Sequence, residues 1–457
     1  YLGMTMTFGK VPLITEVLDY NSPNIPRDEV SVIRDFIMKE LTEAAAILPE
    51  KYAGGYPNEK GRITKYACLS LKARAALYFG DYALAESTAK EVMDKGGFSL
   101  FKISSLSDAQ KKEAEEMSLY IDFAEKGIDK DEFVKGMFNY EALWHTENAN
   151  PDNPEYIMTR QYAASSWNYQ DMTRYTSMRP NQLGGWSSVT PTQNLVDAYW
   201  GVDGHSVPQL PTPEERAKAY NQIKADLDAY QKPEGEAKFI AFCQEKIKNG
   251  TLKDYKYIQE FRNRDSRMYV SILMPFKSWY ESNYGDKFVY EWIKNGNNES
   301  KTGFNFRKML SLENDANGDG QATGDYPCIR YAEILLIYAE AHTQTTGYDA
   351  ATEAALNQLR DRCGMPDVPS GLSKEEGLKL IQNERRIELA GEGFRGDDMT
   401  RYSDDYWKEH MNNVPIMTPD GDTELTMKWS SRMRLKPIPQ TAIDLNPLLA
   451  GDQNPGY

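Results

Sequence analysis

Two segments of the chain repeat one helical-hairpin pattern, which constrains the fold more than any other feature. In Lys65–Gly96, small side chains recur at helical spacing on both sides of Gly80 and Asp81. This predicts two antiparallel helices joined by a tight turn. Arg330–Gly364 has the same organisation around Gly347. Small residues let paired helices approach closely, so both segments are typical of tetratricopeptide-like repeats.

The sequence between the two hairpins has a different character. Residues 140–205 are rich in Trp, Tyr, Asn, Ser, Gly and Pro and show little helical periodicity. A capped helix is predicted after Thr212, and the aromatic, loop-rich character returns from Phe261 to Lys308. We therefore predict a mainly α fold, in which a discontinuous tetratricopeptide-like helical-repeat scaffold carries a large loop-rich insertion containing short strands. Residues 1–139 and 326–457 are predicted to form the scaffold, and 140–325 the insertion and candidate ligand-binding face.

Composition narrows the classes of ligand. The net charge is −15 and no Lys/Arg-rich run is present, so the electrostatic attraction that dominates nucleic-acid binding is lacking and no nucleic-acid partner is expected. Aromatic residues make up 12% of the chain, with 29 Tyr and 8 Trp, and their flat rings can serve core packing or stacking on sugars and peptides. The four cysteines lack metal-type spacing and are predicted to be buried free thiols.

Aromatic and polar residues are concentrated in one part of the insertion, which makes it the candidate binding site. Sugar C–H faces stack on indole and phenol rings, while amide and guanidinium groups bind hydroxyls. Trp186 follows Gly184 and Gly185, a loop signal, so its ring need not lie in a core. Buried loop anchors are the competing use of such rings. The predicted ligand-binding residues are Tyr162, Trp167, Asn168, Tyr169, Arg174, Tyr175 and Trp186.

A second aromatic cluster is predicted to serve packing rather than binding. It consists of Trp279, Tyr280, Tyr284, Tyr290 and Trp292.

An Asp/Asn/Gly loop raises the possibility of one structural calcium ion. Asp315, Asn317 and Asp319 place oxygen ligands at alternate positions, as in the first half of a calcium-binding loop. The bidentate glutamate of a full EF-hand would fall at Tyr326, so backbone oxygens or Asp325 would have to complete the site. A plain turn is the alternative. No other cofactor is predicted.

No catalytic motif emerges from the sequence. The charged residues between Glu384 and Arg401 could be interpreted as paired catalytic carboxylates, but their helical spacing and alternating signs favour a structural ion-pair network. The chain contains no GxSxG, P-loop or dinucleotide fingerprint, and its four histidines lack ligand spacing. We therefore expect a binding protein rather than an enzyme.

Six segments, in order along almost the whole chain, together resemble the SusD/RagB family of outer-membrane lipoproteins. They are FGKVPLITEVL (8–18), GRITKYACLSLKARAALYFGDYALA (61–85), FRNRDSRM (261–268), YPCIRYAEILLIYAEA (326–341), NERRIELAGEGFRGDDMTRY (383–402), and LKPIPQ with the terminal QNPGY (453–457).

The resemblance implies a non-catalytic, lipid-anchored protein on the outer-membrane surface of a Gram-negative bacterium. Such a protein captures an oligosaccharide and acts as a lid on a SusC-like TonB-dependent transporter. The family's sugar-stacking aromatics lie shortly before the segment that matches Asn194–His205, which favours Trp186 with Tyr162 or Trp167. Family members also carry a signal peptide, a lipidated cysteine and a further helical stretch, which this sequence lacks. A processed or truncated chain is therefore expected.

Three other functions stay open at the level of sequence. A peptide receptor of the RagB kind would belong to the same family. A glycoside hydrolase would need two carboxyl groups about 5 to 10 Å apart across a cleft. A plain repeat scaffold for protein partners would leave the aromatic insertion without a purpose.

Overall fold

The structure is a computed structural model and describes residues 1–19, 22–52, 59–162, 180–280, 288–310 and 324–457. Helices dominate these residues, and no helix among them is long and apolar enough to cross a membrane. The α-helices are α1 (Leu2–Phe8), α2 (Val30–Ile47), α3 (Lys65–Tyr78), α4 (Tyr82–Lys95), α5 (Asp108–Glu116), α6 (Phe123–Lys126), α7 (Lys130–Ala142), α8 (Gln193–Ala198), α9 (Pro213–Ala229), α10 (Lys238–Lys248), α11 (Lys256–Gln259), α12 (Ser266–Ser271), α13 (Tyr331–Thr345), α14 (Ala350–Arg362), α15 (Lys374–Glu388), α16 (Arg395–Arg401), α17 (Asp404–Met411) and α18 (Gln440–Leu445).

The strands of the described residues are short and form three two-stranded sheets. Their bounds are β1 (Tyr156–Arg160), β2 (Ile272–Leu273), β3 (Asn305–Phe306), β4 (Tyr326–Arg330), β5 (Val414–Met417) and β6 (Thr423–Met427). Strand β1 pairs with β4, β2 with β3, and β5 with β6. The mainly α fold class with a few short strands is confirmed.

The chain divides into two compact units. The first comprises residues 1–97, 392–414 and 427–457, and the second comprises 98–391 and 415–426. These units are defined by packing, whereas the predicted segments 1–139, 140–325 and 326–457 were defined by sequence character. The assignment of 140–325 as the ligand-binding insertion therefore stays a prediction.

The first predicted hairpin is present in the first unit as α3 and α4. Asp81 ends the intervening turn and caps α4 by accepting a hydrogen bond from the Leu84 amide at 3.2 Å. The interior of the hairpin consists largely of small side chains, since Ala73, Ala85 and Ala89 are completely buried. Helix α2 packs on α3 and buries Ile33.

The second hairpin is present in the second unit as α13 and α14. Every residue of α13 from Tyr331 to Thr343 is buried, because α14 and α15 both pack on it. Asp349 caps α14 by accepting from the Ala351 amide at 2.9 Å. The capping box predicted at Thr212 is also present and opens α9.

Candidate functional site

The loop that carries Trp186 is fixed at its base and exposed at its tip. Asn181–Leu183 form a 3-10 turn, and the Gly185 amide donates to the Pro180 carbonyl at 3.0 Å. Leu183 is 4% exposed, whereas Trp186 is 44% exposed. Gly184 has a φ of 77°, a left-handed conformation that glycine adopts without steric cost. The sequence thus folds locally so that the indole faces outward from an anchored turn.

A buried apolar cluster supports this loop. Leu183 packs with Leu273, Trp279, Phe288, Tyr290 and Leu310. In addition, the Gln182 side-chain oxygen accepts a hydrogen bond from the Glu291 amide at 3.0 Å. Residues before and after 281–287 therefore hold the Trp186 loop, through the apolar packing of Leu183 and through the hydrogen bond to Gln182.

The second aromatic cluster has the predicted packing role in most of its described members. Trp279, Tyr290 and Trp292 are all buried, and the Arg307 guanidinium lies 4.9 Å from the centre of the Trp279 ring. Tyr280 is the exception, since it is only half-buried. Tyr284 lies outside the described residues.

Tyr162 lies at the end of the β1–β4 pair. Its amide donates to the Asp325 carboxylate at 3.0 Å, and the Arg160 guanidinium lies 5.3 Å from the centre of its ring. Burial raises the pKa of Asp325 to about 6, although the hydrogen bonds from Tyr162 and Gln161 act to lower it. The Tyr162 ring remains half-exposed. Among the described residues, no ring contact joins Tyr162 to Trp186.

The other predicted ligand-binding residues lie outside the described residues. They are Trp167, Asn168, Tyr169, Arg174 and Tyr175. The predicted calcium ligands Asp315, Asn317 and Asp319 also lie outside them. Within the described ranges, no group of three or more His, Cys, Asp or Glu side chains could hold a metal ion.

Glu384 and Glu388, in the second half of α15, both form buried ion pairs. The Glu384 carboxylate forms ion pairs with Arg360 at 2.7 Å and with Arg267 at 2.6 Å. Glu388 is paired with Arg330 at 2.8 Å and with Arg362. Both carboxylates are completely buried, so no substrate can reach them, and the interpretation of this cluster as an ion-pair network is the one that the structure supports.

Burial alone would raise the pKa of Glu388. The guanidinium groups of Arg362, Arg330 and Arg267 outweigh this effect and hold the pKa of Glu388 well below its ordinary value. The carboxylate is therefore ionised throughout the neutral and mildly acidic range.

Sequence reasoning identified the exposed ring of the loop but missed the residues that position it. Leu183 is the only apolar residue between Pro180 and Trp186, and such an isolated apolar side chain beside a Gly-Gly pair is a signal for an anchor. Its partners Trp279 and Leu310 are distant in sequence, so no local pattern could have named them.

Comparison with known proteins identifies the family. The family model described as "SusD family" matches residues 154–457. The chain belongs to the SusD family. A curated relative, SusD-like protein P2 of Formosa agariphila, is 29% identical over 148 residues, which represent 31% of this chain and 28% of that protein. The chain thus matches less than a third of the length of this relative.

Solved structures of SusD-like proteins share the fold over nearly the whole chain. A SusD-like protein from Bacteroides fragilis is 26% identical with a TM-score of 0.69, and the match covers 99% of this chain and 77% of that one. A SusD-like carbohydrate-binding protein from the same species is 20% identical with a TM-score of 0.64, covering 98% and 76%. A laminarin-binding SusD-like protein is 19% identical with a TM-score of 0.55, covering 99% and 75%. The latter two show the shared fold.

Proposed function

We propose that this chain is a non-catalytic glycan receptor of the outer-membrane surface that captures oligosaccharide for a SusC-like TonB-dependent transporter. Its membrane attachment would be a lipid anchor. Membership of the SusD family supports this proposal, as do the carbohydrate-binding and laminarin-binding relatives. The observation that carries it is the exposed indole of Trp186 on an anchored loop.

The ligand would stack a sugar face on Trp186, and the polar residues predicted nearby would bind its hydroxyl groups. Tyr162 offers a second half-exposed ring, and the hydrogen bond from its backbone amide to Asp325 holds the main chain at this residue. In this proposal Trp167, Asn168, Tyr169, Arg174 and Tyr175 complete the site. Because this chemistry consists of stacking and hydrogen bonding, it requires no nucleophile and no acid–base pair.

A glycan-array screen followed by titration calorimetry tests the proposal. We expect binding to at least one oligosaccharide class, with no release of reducing ends from the bound glycan on prolonged incubation. Turnover that disappears on replacing one carboxylate would make the protein a glycoside hydrolase. Binding to peptides with no binding to any glycan would instead make it a receptor of the RagB kind.

A further inference from the structure

A groove in the second compact unit is lined by residues other than those of the Trp186 loop. Its walls come from α5, from the connection between α9 and α10, from α10 itself and from Tyr280. The groove has a volume of about 880 Å³, which is in the range of about 300 to 1,000 Å³ that is usual for small-molecule sites. The space is therefore sufficient for a short oligosaccharide.

Two tyrosine rings in this groove are held in place by carboxylates. The Tyr230 hydroxyl donates to Glu245 at 2.8 Å, and its ring packs edge-on against Phe242 with 5.5 Å between ring centres. The Tyr280 hydroxyl donates to Glu116. Both rings are half-buried, so each retains accessible surface. Rings that are already fixed lose little conformational entropy when a sugar stacks on them.

The polar lining of the groove suits a ligand without charge. Acidic and basic groups are mixed around it, so neither sign dominates. Carboxylates accept hydrogen bonds from sugar hydroxyls and ammonium groups donate to them. The whole chain carries a net charge of −15, which repels polyanions. The charged lining residues are Lys112, Glu115, Glu116, Glu236, Glu245, Lys248 and Lys253.

We propose that this groove is a second glycan-binding site, which takes a neutral oligosaccharide by stacking on Tyr230 and Tyr280. This inference rests on the proposed function, because it assumes that the chain binds glycan at all. The groove is structurally coupled to the Trp186 loop, since Trp279, the residue before Tyr280, packs against Leu183 of that loop.

The test uses native affinity electrophoresis of the whole chain in gels that contain laminarin or xyloglucan as neutral probes, or alginate as an anionic probe. Tyr230→Ala and Tyr280→Ala are compared with wild type and with Trp186→Ala. One of the neutral polysaccharides should retard wild-type protein. We expect each tyrosine variant to bind that polysaccharide at least about tenfold more weakly, as is typical of a lost stacking ring.

Tyr255→Ala is the matched control. Like Tyr230, Tyr255 donates its hydroxyl to a carboxylate, Asp226 at 3.0 Å, and packs on Phe242 with 6.3 Å between ring centres. It does not line the groove. We expect this variant to bind as wild type does. Tyr230→Phe and Tyr280→Phe keep the rings and should retain most of the affinity. Thermal melts of every variant show whether a loss of binding reflects a loss of fold.

The outcomes separate this inference from the proposed function. Wild-type binding that Trp186→Ala weakens, while folded Tyr230→Ala and Tyr280→Ala bind normally, would overturn the groove and leave the proposed function intact. If wild-type protein is not retarded in any of the gels and binds no glycan on the array, both this inference and the proposed function are overturned. Preference for alginate, lost in the tyrosine variants, would overturn the assignment of a neutral ligand.

Discussion

At the scale of single residues, two tryptophans differ sharply in exposure. Trp186 is 44% exposed, whereas Trp279 is 1% exposed and lies in the cluster that anchors the Trp186 loop. We expect Trp186→Ala to lower glycan affinity by about 2 kcal/mol, or about thirtyfold, because stacking rings are hot spots. Its stability should change by less than about 0.5 kcal/mol, since no cavity forms. Calorimetric titration and thermal melts measure the two effects.

Trp279→Ala is the natural comparison. Removing a buried indole should cost about 3 to 5 kcal/mol of unfolding free energy. Trp167→Ala is predicted to behave like Trp186→Ala. A Trp186 variant that keeps its affinity while its melting temperature collapses would show that the ring is a core anchor and would remove it from the site.

The charge of Glu388 is expected to contribute to stability. It bonds three guanidinium groups in a completely buried position, so Glu388→Gln leaves positive charge uncompensated. We expect a loss of about 3 to 5 kcal/mol of unfolding free energy at pH 7, measured by urea denaturation. Glu375→Gln, on the exposed face of the same helix, should change stability by less than about 1 kcal/mol.

The pH dependence of this effect follows from the depressed pKa of Glu388. A carboxyl group with a lower pKa in the folded state contributes stability that is fully present above its unfolded pKa of about 4.5. That contribution disappears as the pH falls through the folded pKa. The stability difference between wild type and Glu388→Gln should therefore narrow below about pH 4.5. A difference that stays constant down to pH 3 would contradict the ion-pair explanation.

At the scale of elements, α7 approaches the end of α14 more closely than a side chain would allow. A Cβ atom on Gly136 would lie 2.1 Å from the Cys363 carbonyl carbon and from the Gly364 amide nitrogen. Gly136→Ala should therefore destabilise the protein by about 2 kcal/mol or more, because backbone atoms must move. Gly3→Ala in α1, where nothing lies within 4 Å, should be neutral or stabilising by up to about 1 kcal/mol. Equal melting temperatures for the two variants would show that the crossing relaxes easily.

Elements were predictable from the sequence where their signals are local. The hairpin in Lys65–Gly96 and the helix after Thr212 follow from apolar periodicity and capping residues, which operate within a few positions of each other. The exposed ring at Trp186 was likewise indicated by the adjacent glycines. The pairing of Glu388 with Arg330, and the meeting of Tyr230 and Tyr280 in one groove, depend on tertiary packing. No local pattern encodes such contacts.

At the scale of the whole molecule, the predicted calcium loop has a consequence for global stability. If Asp315, Asn317 and Asp319 bind calcium only in the folded state, binding stabilises the whole chain by mass action. At a free calcium concentration about 100 times the dissociation constant, this amounts to about 2.7 kcal/mol. For a chain of this size, whose unfolding entropy is about 1 kcal/mol/K, that corresponds to a shift of about 3 °C in melting temperature. We therefore expect excess chelator to lower the melting temperature of calcium-loaded protein by about this amount.

Asp315→Asn with Asp319→Asn provides the control, because the substitutions remove both charges and one oxygen atom per side chain while keeping side-chain size. The melting temperature of the doubly substituted protein should be the same with and without chelator. It should also be close to that of chelator-treated wild type. Elemental analysis of wild type after dialysis should find about one calcium per chain. An unchanged wild-type melting curve together with no bound metal would leave this sequence as a plain turn, because a ligand that does not bind cannot shift the folding equilibrium.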